Sequence, residues 1–185
     1  MMTLAIGFFS GAGYGQQPVS NFSLADVTGK TVSLDSYPTV SGITIIFTSN
    51  DCAFDNYYTS RIRSLIEMYS GKIQFILINA SVEPAETAEK MAIQYQSWGF
   101  DIPYLIDKSQ TAMDIFGARK SPETFLLRNS GGKYFVVYQG ALDDNPQIAS
   151  DVKQSYLKES IDKLLAHQRI EVSAVRATGC SIRRR

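Results

Sequence analysis

Two predominantly apolar runs constrain the fold of this 185-residue chain more than any other feature. They span residues 42–48 and 73–79. Apolar runs of this length, rich in β-branched residues, are typical of parallel strands that are covered on both faces. The segment between them carries apolar side chains at helical spacing, namely Tyr58, Ile62, Leu65, Ile66 and Tyr69. The pattern therefore predicts a β-α-β unit at the centre of an α/β sheet.

The remaining elements extend this unit in both directions. Turn residues 26–29 predict a leading hairpin, and residues 123–127 and 134–138 predict a second one across the turn at 130–132. Helices are expected over 85–98, 110–116 and 148–167, with a short strand at 103–106. The buried positions expected in the last helix are Val152, Tyr156, Ile161, Leu164 and Leu165. Together these predict a central mixed β-sheet flanked by helices, followed by an irregular C-terminal tail.

Composition excludes several classes of function. Lysine plus arginine and aspartate plus glutamate both number 18, so no net charge favours nucleic acid or an anionic membrane. The two cysteines are too few for a disulfide scaffold, and with one histidine they do not provide the ligands of a zinc site. The sequence implies no bound metal, nucleotide or haem.

The N-terminal segment, residues 1–17, has a sequence pattern of its own. Residues 1–9 are apolar and small residues follow up to position 15, which resembles the core and cleavage region of a secretory signal. We therefore predict export to the periplasm or the exterior. The alternative is a disordered tail on a cytoplasmic protein. The apolar stretch is shorter than the roughly 20 residues that a membrane-spanning helix needs.

The turn Ser49-Asn50-Asp51-Cys52 is the first candidate functional site. It joins the predicted strand at 42–48 to the helical segment, and unpaired N–H groups in the first turn of a helix favour a thiolate over a thiol. Ser49 stands where a C-x-x-C redox motif has its first cysteine. A serine hydroxyl cannot form a mixed disulfide, so dithiol exchange through residues 49 and 52 is excluded.

Four stretches, taken in order, resemble the thioredoxin-like superfamily. They are residues 45–54, 116–125, 140–145 and 179–182, the last reading G-C-S-I. They are similar to the redoxin branch that includes the alkyl hydroperoxide reductase/thiol-specific antioxidant proteins, and to a subgroup with a terminal G-C-S-I. The resemblance covers about residues 22–182 and implies a thioredoxin fold. It divides the chain into a segment 1–17, a redoxin domain 18–168 and a tail 169–185 that carries Cys180.

The resemblance also implies roles for individual residues. Pro122 corresponds to the cis-proline of the family, with an ordinary loop proline as the alternative. Ser49 and Cys52 match the S-x-x-C part of a peroxiredoxin turn, but Ile45 occupies its proline position. Cys180 is the candidate resolving thiol, or else a free thiol on a tail.

Two charged residues near Pro122 are further candidates. Arg119 could lower the pKa of the Cys52 thiol, and Glu123 could handle a proton; the alternatives are a solvated arginine and a structural carboxylate.

Two functions from different classes follow. The first is a thiol-based oxidoreductase that uses Cys52, resolved by Cys180 or by an external thiol, and acts on a peroxide or a disulfide. Its partners would be a thioredoxin-like reductant and that substrate. The alternative is a redox-inactive thioredoxin-fold module that lost its C-x-x-C chemistry and binds a partner through the groove beside Pro122.

Overall fold

The computed structural model describes residues 17–185, which contain ten strands, four α-helices and two short 3-10 helices, Leu34–Ser36 and Ala149–Asp151. The helices are α1 (Ala53–Met68), α2 (Ala88–Trp98), α3 (Thr111–Phe116) and α4 (Tyr156–Leu165). The strands are β1 (Ser23–Ala25), β2 (Thr31–Ser33), β3 (Gly42–Phe47), β4 (Ile73–Asn79), β5 (Tyr104–Ile106), β6 (Lys120–Ser121), β7 (Glu123–Ser130), β8 (Lys133–Gly140), β9 (Ala174–Val175) and β10 (Cys180–Ser181).

The central sheet has six strands in the order β5-β4-β3-β7-β8-β9. Strands β3, β4 and β5 run parallel to one another, whereas β7 is antiparallel to both β3 and β8. The predicted α/β class with a mixed central sheet is confirmed. The predicted N-terminal hairpin is also present, because β1 pairs antiparallel with β2.

Two apolar cores lie on opposite faces of this sheet. The two faces of β3 separate Ile46 from Ile43 and Ile45, as expected when successive side chains of a strand point to opposite sides. The core around Ile46 receives buried side chains from α1, α2 and α4, and the other core receives them from α3 and the N-terminal hairpin. Burial on both faces explains why β3 and β4 are predominantly apolar.

Helix α4 is shorter than the sequence predicts. It begins at Tyr156 rather than at residue 148, because the backbone of residues 153–154 is bonded to Asp144 and makes no α-helical hydrogen bonds. Asp144 donates its N–H to the carbonyl of Gln154, and its carboxylate accepts the N–H of Lys153. Val152 consequently lies outside the helix and is only partly buried, whereas Ile161 and Leu164 are buried as expected.

Helix α2 also begins later than predicted, at Ala88. Its N-cap is Thr87, whose hydroxyl oxygen accepts the N–H of Lys90. The C-terminal tail differs more, because parts of the predicted irregular segment form strands β9 and β10. The predicted signal region lies almost wholly outside the described residues. Within residues 17–185, no helix is long and apolar enough to cross a membrane.

Candidate redox site

Cys52 lies at the N-cap of α1, directly after the turn that follows β3. Its carbonyl oxygen accepts the N–H of Asp55, which closes the first turn of the helix. The residue is only 1% exposed. Its Sγ is bonded to Sγ of Cys180, with 5.9 Å between the two Cα atoms and 128 residues of separation along the chain. The structure thus brings together two cysteines that the sequence leaves far apart.

The C-terminal segment reaches Cys52 by pairing with two strands in turn. β9 runs parallel to the end of β8, and β10 is antiparallel to β6, with Cys180 opposite Ser121. Gly179 sits so close to this pairing that a Cβ there would lie 2.3 Å from the Ser121 oxygen. Only glycine permits this approach without a shift of the backbone. Cys180 itself is partly exposed.

Pro122 lies at the junction between β6 and β7, next to the disulfide. The Ser121–Pro122 peptide bond is cis. The carbonyl oxygen of Ser121 lies 3.1 Å from Sγ of Cys52, so it could accept a hydrogen bond from that thiol once the disulfide is reduced. The groove beside Pro122 is therefore occupied by the protein's own tail.

A buried carboxyl, Asp55, lies in the first turn of α1, three residues after Cys52. It is 2% exposed and accepts hydrogen bonds from Thr48 Oγ1 at 2.7 Å and from Ser121 Oγ at 2.5 Å. Burial raises the pKa of Asp55 to about 7, although these hydrogen bonds oppose the increase. Sequence patterns did not single out Asp55, although it belongs to the first helical turn after Cys52.

Ser49 occupies the other end of the turn and faces a different carboxylate. Its hydroxyl donates to Glu86 at 2.5 Å, and Glu86 also accepts the N–H of Asp51 at 3.0 Å and the Asn79 amide at 2.8 Å. Burial alone would raise the pKa of Glu86, but these hydrogen bonds outweigh burial and lower the pKa. The Ser49 hydroxyl is therefore bonded to a buried carboxylate. Nothing in the local sequence singles out Glu86, which lies in the loop between β4 and α2.

Arg119 and Glu123 are placed beside the tail. Glu123 accepts the backbone N–H groups of Arg119 and Lys120 at 2.7 and 2.9 Å, which fixes the loop before Pro122. Arg119 is exposed. Within residues 17–185, its guanidinium group makes neither a hydrogen bond nor an ion pair. The ammonium of Lys120 donates to Ser181 Oγ at 3.0 Å. Glu123 is thus bonded to the backbone before Pro122, and Lys120 is bonded to the residue that follows Cys180.

Comparison with known proteins identifies relatives of this chain. Residues 16–144 match the model of the AhpC/TSA family. The thiol-disulfide oxidoreductase ResA of Halalkalibacterium halodurans is 28% identical over 131 residues, which are 70% of each chain.

Two solved structures extend the comparison to the fold. A protein of Sinorhizobium meliloti is 26% identical with a TM-score of 0.81, over 90% of this chain and 92% of the other. The exposed lipoprotein thioredoxin of Streptococcus pneumoniae is 16% identical with a TM-score of 0.59, over 77% of this chain and 99% of the other. The latter likeness concerns the fold alone, and it agrees with the thioredoxin fold that the sequence predicts.

Proposed function

Because the chain belongs to the AhpC/TSA family, we propose that it is a thiol–disulfide oxidoreductase whose redox-active pair is Cys52 and Cys180. One observation carries the proposal: the bond between these residues joins a buried sulfur at the start of a helix to a partly exposed residue in the groove beside Pro122. We assign to Cys180, which comes from the C-terminal tail and lies opposite Ser121, the role that the first cysteine of a C-x-x-C motif would have.

Reduction of the pair begins at Cys180, because the rate of thiol–disulfide exchange depends on access to the attacked sulfur. A thiolate of an external dithiol protein attacks Sγ of Cys180, and the Cys52–Cys180 bond breaks. Its electron pair remains on Sγ of Cys52, which takes up a proton. The second thiol of the donor then resolves the mixed disulfide, so Cys180 leaves as a thiol and the donor becomes a disulfide.

The reduced pair acts on a substrate disulfide by the reverse order of steps. Cys180 attacks one substrate sulfur and the substrate's second sulfur leaves as a thiol. Cys52 then attacks Sγ of Cys180, releases the reduced substrate and restores the disulfide. Two electrons pass from donor to substrate in each cycle, and the chain itself supplies both sulfur atoms.

Two features favour a disulfide over a peroxide as the substrate. The Ser49 hydroxyl, which a peroxiredoxin turn would use to orient a peroxide, already donates to Glu86. The second feature is the Glu86 carboxylate, which accepts the N–H of Asp51 next to Cys52 and has a lowered pKa. A negative charge near the turn disfavours the thiolate on which attack on a peroxide depends.

The test compares the two single-thiol variants, Cys52→Ser and Cys180→Ser, which both keep the tail. We expect the thiol of Cys180 in the first variant to react with an aromatic disulfide reagent at least about tenfold faster than the thiol of Cys52 in the second. The wild type should catalyse reduction of a protein disulfide by dithiothreitol, and each variant should lose this catalysis.

Three results would contradict the proposal. Faster reaction of Cys52 would reverse the assigned order of attack. Rapid formation of a sulfenic acid on Cys52 with hydrogen peroxide, without disulfide reductase activity, would favour a peroxidase. If the wild type shows neither activity, and its disulfide withstands excess dithiothreitol, the redox-inactive binding module is the better description.

A further inference from the structure

Gln110 lies one residue before α3 and has an unusual backbone conformation. Its φ is 61° and its ψ is 24°, a left-handed region that few residues other than glycine adopt. The residue is 4% exposed. Such a conformation persists where the surroundings hold it, and it is often associated with a specific task.

The side-chain amide of Gln110 is bonded to the C-terminal segment on two sides. Its Nε2 donates to the carbonyl oxygen of Arg183 at 2.7 Å, and its Oε1 accepts the N–H of Arg185 at 2.9 Å. Nε2 also donates to the carbonyl oxygen of Ala80 at 3.0 Å, just beyond β4. One amide group therefore engages the carbonyl of one tail residue and the N–H of the residue two further on, as the backbone of a neighbouring strand would.

This contact fixes the tail on the C-terminal side of Cys180, whereas β9 fixes it on the N-terminal side. On the C-terminal side, Ile182 also donates its N–H to the carbonyl of Arg119 at 2.9 Å. The ion pairs there, Arg184 with Asp114 and Arg183 with Glu83, are between exposed side chains and contribute little. Gln110 is itself buried and its two bonds to the tail are part-buried, so their loss leaves a buried amide with unsatisfied groups, which costs more.

We propose that Gln110 is a positioning residue that keeps reduced Cys180 beside Cys52. The disulfide can then form again without a released tail first having to return to the groove beside Pro122. The inference rests on the proposed function, because it concerns the same cysteine pair. In the oxidised protein the S–S bond holds the tail in place, whereas in the reduced protein only noncovalent contacts do. Without the Gln110 contact, the reduced tail is released more readily and oxidation becomes less favourable.

The test is the equilibrium between the protein and glutathione. One protein dithiol and one glutathione disulfide give one protein disulfide and two glutathione thiols. We expect Gln110→Ala to lower this equilibrium constant about tenfold, since the tail loses two part-buried hydrogen bonds. Mixtures of fixed glutathione ratio, quenched by acid and analysed by alkylation and mass spectrometry, measure the oxidised fraction.

Arg185 provides a matched pair of variants outside the strands, since the last of them, β10, ends at Ser181. Arg185→Pro removes the N–H that Gln110 accepts, and we expect the constant to fall about threefold. Arg185→Ala removes the same exposed side chain but keeps that N–H, so it should leave the constant within about twofold of the wild type. In the double variant, Arg185→Pro should add little to Gln110→Ala, because both remove the same contact.

Specific results would overturn the inference. They are an unchanged constant in Gln110→Ala, equal losses in Arg185→Pro and Arg185→Ala, or fully additive losses in the double variant. The glutathione equilibrium requires no physiological partner. A wild type without reductase activity would therefore refute the proposed function alone, whereas unaffected constants in the variants of an active protein would refute only the role of Gln110.

Discussion

Ser49 and Cys52 lie at the two ends of the same turn, yet a hydrogen bond holds the first and a disulfide holds the second. Ser49 donates to the buried carboxylate of Glu86, a contact made within the body of the domain. Cys52 is bonded to Cys180, which comes from the far end of the chain. On the proposed function, the difference means that a redox pair does not have to be contained in one turn. A site can keep its helix-end sulfur and receive the more accessible sulfur from another segment, provided that this segment is held in register.

The largest expected effect concerns the Cys52 end of the turn. The disulfide closes a loop across 128 residues, so its removal should lower the free energy of unfolding by about 4–5 kcal/mol on the chain-entropy model. Urea denaturation of the wild type and of Cys180→Ser measures the loss. The wild type with dithiothreitol should match the variant, and a difference below about 1 kcal/mol would mean that the tail contributes no constraint.

A cysteine in place of Ser49 would test whether the turn retains the geometry for thiol–disulfide exchange between positions 49 and 52. In the Cys180→Ser background, Ser49→Cys should restore disulfide reductase activity by roughly a hundredfold over the single-thiol parent, because both sulfurs then lie in one turn. Reduction of a protein disulfide by dithiothreitol measures the gain. Ser49→Ala in the same background is the control and should stay inactive. No gain would show that Glu86 and the tail have reshaped the turn.

The smallest expected effect is the pH dependence of stability that Asp55 causes. This dependence distinguishes the carboxyl of Asp55 from that of Glu86. The pKa of Asp55 is raised to about 7, whereas an unfolded aspartate has a value near 3.8. Between these values the folded protein binds more protons than the unfolded chain, so stability falls as pH rises through this range. We expect the oxidised protein to lose about 2 kcal/mol of unfolding free energy between pH 5 and pH 8.

Urea denaturation at the two pH values measures this loss, and Asp55→Asn should remove most of it. Glu86 does not interfere in this range: its pKa is lowered, so the stability it provides is present above the unfolded value and is lost only in more acidic solution. An equal pH dependence in the wild type and Asp55→Asn would assign the effect to other groups.

How much of the fold could be predicted from the sequence depends on how far apart along the chain the interacting residues lie. Strands β3 and β4 follow from their apolar runs, and the buried stripe of α1 follows from helical spacing, because both patterns are local. The start of α4 could not be predicted in the same way. It depends on bonds between Asp144 and residues 153–154, which lie about ten positions further along the chain.

The residues of the candidate site also differ in whether local sequence or distant partners determine their roles. Cys52, Ser49 and Pro122 stand in recognisable sequence contexts, so the sequence singles them out. Asp55, Glu86 and Gln110 owe their roles to burial and to partners from other segments, and polar residues of these types are common on any surface. No local pattern distinguishes a buried carboxylate with several donors from a solvated one.

The sequence alone determined the order of β3, β4, β5, β7 and β8 and of the four α-helices, the α/β class, and the absence of an attacking thiol at position 49, because periodicity and residue chemistry are local properties. Only the tertiary structure decided that Cys180 meets Cys52, that the tail fills the groove beside Pro122, and that Ser49 bonds to Glu86. Each of these contacts joins segments that are distant in sequence, and their geometry depends on how the whole sheet and both cores are assembled.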